Sequence, residues 1–289
     1  MIDFTHLPQK NKAYGGANGN KISIIYEGDL YMLKFPGHAR LNKDMSYTHS
    51  SFSEYLGCHI FESLGFPVQK TLLGTYSVKG TDKVVVACRD FTRPGIVFQD
   101  FASLKNQMVD SERNGYGTEL SDILYAIEHQ SVTDSATLLE WFWDIFIVDA
   151  LIGNWDRHNG NWGFLYNAYT DEVQIAPVFD CGSSLYPQAD DEIIRKILTQ
   201  DDQLKLRIYE IPTSAIMIDN KKLRYYDFIS SHSDKGCDRA LNRIAPKIDI
   251  NAINAIVDAM PYATDLQKDF YKTMIGARKT MILDASMRG

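Results

Sequence analysis

A chain of 289 residues, 45% apolar and 23% charged, is long enough to bury a sizeable core in one large domain or two lobes, and its composition excludes a disordered or fibrous protein. Its net charge of −7 argues against non-specific nucleic-acid binding, which needs a broad basic face, while leaving room for a local basic pocket. The four cysteines each stand alone in a different segment, which argues against a zinc site or a disulfide framework and points to a reducing, cytoplasmic setting.

The N-terminal MIDFTHLPQKNKAYGG carries no signal-peptide pattern, although an effector exported without a cleavable signal would read the same. A-Y-G-G-A-N-G-N-K at 13–21 then opens the first strand. Its glycines, Gly15 and Gly16 foremost, leave backbone N–H groups free to approach phosphate, but it matches neither G-x-G-x-x-G nor a P-loop ending. Residues 21–25 (KISII) and 30–35 (LYMLKF) are β-prone, and Glu27-Gly28-Asp29 between them makes a hairpin. Along the second strand Lys34 shares a face with Leu30 and Met32. There it is either a phosphate ligand at a cleft or a strand-end lysine reaching for water.

A helix follows, marked by Phe52, Leu56, Ile60 and Leu64 and stopped by Gly65 and Pro67. Glu54 on this helix is the candidate partner of Lys34. The run Ser51-Phe52-Ser53-Glu54 also reads as a capping box, so the pairing role asks for a helix beginning as early as Asp44. Residues 68–76 and 83–88 (KVVVAC) are strands joined by Lys79-Gly80-Thr81-Asp82. Arg89-Asp90 then falls where a hinge would offer backbone groups to an adenine ring, with side-chain identity of little account.

Past Pro94 the texture turns helical. We therefore expect an α+β chain in two lobes: a small antiparallel β lobe with one helix over 1–92, and a larger, mainly helical lobe over 93–289. Residues 119–130 and 136–152 read as helices. The second, apolar nearly all round, is expected to be buried; with Asp144 and Asp149 inside it, it is too short and too charged to span a bilayer. Gly153-Asn154 ends it. Strands at 162–166 and 173–179 form a hairpin across turn-rich 167–172, and 251–287 carries at least two amphipathic helices. The Trp141/Trp143 and Tyr225/Tyr226 pairs read as core.

The strongest signal is N-W-D-R-H-N-G-N-W-G at 154–163, followed by A-P-V-F-D-C-G at 176–182. Paired strands lie ~4.8 Å apart, so a hairpin leaving from Asn161 and returning to Asp180 puts both at one end, close enough to share a cation. Asp156, on the preceding loop, faces the same space. Amide and carboxylate oxygens suit Mg2+, and phosphoryl transfer needs a further carboxylate to orient the attacking hydroxyl and accept its proton. This assigns Asp156 as base, Asn161 and Asp180 as metal ligands and Lys34 to phosphate, with ATP and Mg2+ as cofactors. His158 either steadies Asp156, touches phosphate or makes a structural hydrogen bond, and Arg157 reads as a structural ion pair. A plain loop whose Asp and Asn only cap turns is the bland alternative; the hairpin and the closing F-D-C-G weigh against it. The D-x-x-x-x-N spacing followed by F-D-x-G parallels the protein-kinase catalytic and metal loops.

G-N-x-D-R-H-x-x-N followed by A-P-x-x-D resembles the bacterial HipA-type serine/threonine kinases, above all their short members that are mostly kinase region. The likeness runs through nearly the whole chain, including Y-M-L-K-F-P, S-E-Y-L-G-C-H-I-F-E-S-L-G-F-P and F-Y-K-T-M-I-G-A-R. It implies a two-lobed kinase fold, ATP with Mg2+, a protein substrate, frequent autophosphorylation and, in many members, a toxin role neutralised by an antitoxin protein. It also implies the same roles for Lys34, Asp156, Asn161 and Asp180. Relatives often carry an autophosphorylated serine in the Gly-rich loop; 13–21 holds no Ser or Thr, and Ser23 is the nearest candidate. D-R-H-N-x-N is also similar to the catalytic loop of phosphoinositide 3/4-kinases, so a lipid or small-molecule kinase is the alternative. The sequence shows no basic amphipathic helix or polybasic cluster that would seek a membrane. A non-catalytic nucleotide-binding module is the third reading.

Overall fold

In a computed structural model that describes residues 1–14, 21–37, 48–109 and 114–288, five antiparallel strands open the chain. They are β1 (Gln9–Lys10), β2 (Lys21–Tyr26), β3 (Asp29–Lys34), β4 (Thr71–Val78) and β5 (Thr81–Arg89), in the order β1-β2-β3-β5-β4. Both tight hairpins turn on two residues of positive φ, Glu27-Gly28 and Lys79-Gly80. That turn has the twist that matches right-handed strands, and glycine takes its second position without strain.

Strand alternation sorts the side chains. Ile24, Tyr31, Leu33, Val85 and Ala87 pack with Phe4 on the outer face. Val86 and Cys88 join the main core on the inner face, with Met32 against it. There they meet α1 (Ser50–Ser63), whose Phe52, Leu56 and Ile60 are buried as the stripe implies. Gly65, at φ +88°, follows the helix end. No side chain caps the helix start, so Ser51 to Glu54 makes no capping box. The helix begins at Ser50, after His49, and not near Asp44; Glu54 reaches Lys34 from its first turns all the same.

The rest is mainly helical, giving the α+β, two-lobed arrangement expected. β6 (Ile96–Asp100), which the sequence did not announce, pairs with β7 (Gly163–Asn167), and β7 with β8 (Glu172–Ile175). The expected strand over 173–179 stops at Ile175 because Pro177 has no N–H to continue the ladder. Beyond it Val178 N–H donates to Pro67 O at 2.8 Å and Val178 O accepts from Gln69 N–H at 2.8 Å, so the chain running to Asp180 is stitched to the small lobe.

α2 (Phe101–Asn106) and α3 (Leu120–His129) lead to α4 (Ser135–Ile152), the buried spine. Asp134 caps its start through Thr137 N–H, and Gly153, at φ +62°, ends it in the left-handed conformation. Next come α5 (Asp191–Thr199), α6 (Asp201–Tyr209), the hairpin β9 (Thr213–Ile218)–β10 (Lys221–Arg224), α7 (Tyr225–Ser231) and α8 (Lys235–Ile244). The tail holds α9 (Ile250–Ala259) and α10 (Asp265–Arg278), which runs into a π turn. Asp144 of α4 takes Arg243 of α8 through both carboxylate oxygens, at 2.6–3.2 Å. Trp143 is buried and stacks on Phe228, while Trp141 packs against Trp162. No helix among the described residues is long and apolar enough to cross a membrane.

Candidate active site

Lys34, at the end of β3, reaches across to two carboxylates. Its Nζ lies 3.1 Å from Glu54 Oε2 and 2.8 Å from Asp180 Oδ1. The other Glu54 oxygen accepts the Asp180 N–H at 3.1 Å. One buried glutamate on α1 therefore fixes both the lysine and the backbone of Asp180. Asp180 sits at φ +56°, a left-handed conformation that Asp tolerates better than most residues. The approach depends on Gly57, one turn along α1: a Cβ there would stand 2.5 Å from the Cys181 Cβ.

The electrostatics follow from this packing. Burial disfavours the Lys34 ammonium, but the Asp180 and Glu54 carboxylates outweigh it and hold its pKa well above the usual lysine range. Burial alone would lift Asp180; Lys34 outweighs that and brings it down to about 2. The Asp180 side chain keeps 39% of its surface accessible, so it is paired on one side and open on the other. Lys21, opposite Lys34 across the β2–β3 ladder, is pulled down by burial and by Lys34's charge.

The loop after α4 is built around Asp149 and Arg157. Asp149 accepts from Arg157 Nε at 3.0 Å and Nη2 at 3.1 Å, and from Asn154 Nδ2 at 2.9 Å. Arg157 Nη1 also donates to Asn161 O at 3.2 Å and to Phe179 O at 2.5 Å. One buried cation thus ties the Asp156 loop to the residue before Asp180, which is the structural ion pair read from the sequence. Asn154 Oδ1 accepts the Asp156 N–H at 3.1 Å. Asn161 Nδ2 donates to Asp156 O at 2.8 Å, which leaves Oδ1 as the amide atom available to a cation. His158 N–H also donates to Asp156 O at 2.8 Å, and His158 Nδ1 accepts from Gly160 N–H at 3.0 Å, so a neutral His158 carries its proton on Nε2. Asn159 reaches away, donating to Gly115 O and Gly117 O, each at 2.8 Å. Burial raises the Asp156 pKa and Asp180 adds to this, while His158, Lys222 and Arg157 oppose it.

Lys34, Glu54, Asp156, His158, Asn161 and Asp180 are thus gathered on one hairpin end, one loop and one helix face. Arg89 is not. As the cross-strand partner of Tyr31 it points to the outer face, where it pairs with Asp29 at 2.8 Å. Its N–H donates to Lys70 O and its O accepts from Gln69 Nε2. Asp90 is also engaged, accepting from Lys12 Nζ and the Tyr14 hydroxyl. Gly15 and Gly16 lie outside the described residues. Ser23 is buried, and its hydroxyl donates to Lys12 O, so it is poorly placed as an acceptor. Sequence reasoning missed Asp149 and Asn154 as loop anchors. The signal was there: a carboxylate inside a helix apolar all round must have a buried partner.

The family model described as HipA-like C-terminal domain matches residues 13–260. The chain is 50% identical over 287 residues to the serine/threonine-protein kinase CtkA of Helicobacter pylori, covering 99% of this chain and 87% of that one. The crystal structure of the H. pylori proinflammatory kinase CtkA superposes with a TM-score of 0.91 at 48% identity, over 99% of this chain and 97% of that one. HipA of Shewanella oneidensis MR-1, solved with HipB and operator DNA, shares the fold at a TM-score of 0.57 and 16% identity, over 97% of this chain and 68% of that one.

Proposed function

The chain belongs to the HipA-like family and is a serine/threonine-protein kinase, and we propose that it uses ATP and Mg2+ to phosphorylate hydroxyl groups of a protein substrate and of itself. The observation that carries the reading is Lys34 clasped between Glu54 and Asp180, beside a loop that presents Asp156 and Asn161 together. Lys34 binds the α- and β-phosphate oxygens of the nucleotide, and Glu54 keeps it extended into the cleft. Asp156 accepts the proton of the attacking hydroxyl; a pKa raised by burial makes it a better base near neutrality. A protonated His158 would oppose that rise, so the same loop carries a residue that modulates the base.

Asn161 Oδ1 and the open side of Asp180 would hold Mg2+. One amide and one carboxylate fit an ion that fills its other positions with water and phosphate oxygens, and that offsets charge on the transferring group. The first ninety-two residues form the nucleotide lobe in this reading and the rest the catalytic lobe. A neutralising partner protein and a cytoplasmic location belong to the same proposal; the four free, buried thiols suit a reducing compartment.

Intact-mass spectrometry after incubation with ATP and Mg2+ tests it, with Asp156→Asn as control. Phosphate gained only by the wild-type protein is the expected result. No gain on the protein or on any protein substrate, together with transfer to a lipid or small molecule, would overturn it.

A further inference from the structure

The β9–β10 hairpin carries charge that phosphoryl transfer does not use. β10 pairs with β9 alone among the described residues, so its outer edge is free. Lys221, Lys222 and Arg224 are exposed on it while Leu223 is buried. With Ile218, Asp227, Phe228 and Ser231 they line an open hollow of about 380 Å³ in which the buried Leu223 and Phe228 lie beneath three cations and one carboxylate. Arg224 is shared with Glu210 at 3.6 Å and Asp227 at 3.8 Å. Lys221 and Lys222 have no ion-pair partner among the described residues.

The hairpin is fastened to the catalytic loop from two sides. On one side, Met217 N–H donates to Thr118 O at 2.8 Å and the Thr118 hydroxyl to Ala215 O at 2.6 Å; the adjoining Gly115 and Gly117 carbonyls take Asn159. On the other side, Tyr225, directly after β10, donates its hydroxyl to Asn154 O at 2.5 Å. Asn154 and Asn159 bracket Asp156. The hairpin is therefore a rigid neighbour of the proposed base, and Lys222's charge acts on the Asp156 carboxyl.

In a chain of net charge −7, two uncompensated lysines over an apolar floor, on a free strand edge beside the base, have a defined complement. We propose that this edge and hollow dock an extended acidic segment of the protein substrate, so that the kinase selects serine or threonine flanked by Asp or Glu. The inference rests on the protein-kinase reading and names the substrate class of that same site. Extended segments add to free strand edges through their backbone, and side chains beside them set specificity. A nucleic-acid strand fits less well: its affinity comes from neutralising many phosphates, and two free lysines with one shared arginine supply few cations in a chain of net charge −7.

The test uses the full chain with three single-serine peptides, flanked by Glu, by Gln or by Lys. Exposed ion pairs are individually weak, so kcat/KM for the Glu peptide should exceed that for the Gln peptide by roughly three- to tenfold, mostly through KM. The advantage should shrink when salt is raised to about 0.5 M. Lys221→Glu/Lys222→Glu should reverse the order in favour of the Lys peptide, and the milder Lys222→Met should weaken the preference if the reversal fails to fold. Equal kcat/KM for all three, or an unchanged order in both variants, overturns the proposal, as does self-phosphorylation with no peptide turned over. A single-stranded oligonucleotide that binds through these lysines while the peptides go undiscriminated would mark a nucleic-acid surface instead. If the wild-type protein phosphorylates neither peptides nor itself, the kinase reading fails, and with it the docking site.

Discussion

Asp149 is the carboxylate from which the catalytic loop hangs, so its loss should register in stability as well as in rate. Asp149→Ala removes the acceptor for Arg157 Nε and Nη2 and for Asn154 Nδ2. It strands the Arg157 guanidinium, whose side chain is only 8% exposed. Breaking a buried pair from one side costs about 3–5 kcal/mol, far more than the pair contributes net, because the remaining charge has no counter-ion. An unfolding entropy of ~2.1 cal/mol/K per residue over 289 residues gives ~0.6 kcal/mol/K, so the melting temperature should drop by roughly 5–8 °C. Adding Arg157→Met removes the stranded charge, and the double variant should regain a good part of that loss. It should not regain kcat, because Arg157 also holds Asn161 O and Phe179 O. Thermal unfolding by circular dichroism and phosphotransfer assays on the same samples read both quantities. A double variant no more stable than Asp149→Ala would refute the buried-pair argument. So would an Asp149→Ala protein melting within about 1 °C of wild type.

Asp156→Asn should lower transfer about 10²–10⁴-fold with ATP binding intact by calorimetry. Because the folded pKa of Asp156 is raised, its charged form is destabilising, and the penalty grows as pH climbs through that raised value. The Asn variant should therefore melt above wild type at pH 7 with the gap closing below the ordinary aspartate pKa; a pH-independent gap would count against it. Asp180 shows the opposite sign: its depressed pKa gives stability that is present above 3.8 and lost as pH falls through about 2, so Asp180→Asn should flatten the acid limb of unfolding and remove magnesium-dependent ATP affinity. Glu54→Gln keeps an acceptor for the Asp180 N–H but drops the charge on Lys34; kcat/KM for ATP should fall about 10–100-fold, and wild-type kinetics would make Glu54 a packing residue. Lys34→Met should weaken ATP binding yet strengthen binding of Mg2+ alone, because the cation competing for Asp180 is gone; calorimetry showing both weakened would place Lys34 outside that competition.

What could be read from sequence was local. Glu27-Gly28 and Lys79-Gly80 announce tight turns, the Phe52–Leu56–Ile60 stripe announces α1, and the run through α4 announces a buried helix. The candidate site followed from one geometric step, that a hairpin brings Asn161 and Asp180 to one end. What was lost depended on distant partners. β6 is a strand because β7, far along the chain, lies beside it, and no periodicity in Ile96–Asp100 reveals that. Arg89 was placed by its backbone near the hinge, but its N–H and O are taken by Lys70 O and Gln69 Nε2, and strand parity with Val85 and Ala87 sends its side chain to the outer face. β10 is only four residues long and mostly cationic, so nothing in K-K-L-R announces the hairpin it makes with β9.

The hydrogen-bond pattern separates scaffold from chemistry in this site. Arg157, Asp149, Asn154 and Asn159 are buried and spend their polar atoms mostly on one another or on backbone carbonyls of two segments. Glu54 is buried too, and uses both oxygens. The Asp156 carboxylate and Asn161 Oδ1, in contrast, accept no hydrogen bond among the described residues, although the backbone of Asp156 and the amide nitrogen of Asn161 are held. A carboxylate and an amide oxygen fixed in position but without an internal partner are destabilising in a fold that needs only stability, since burial already raises the Asp156 pKa. The arrangement is explained if those oxygens are reserved for a hydroxyl proton and a cation supplied with the substrates, which is the division of labour that phosphoryl transfer demands.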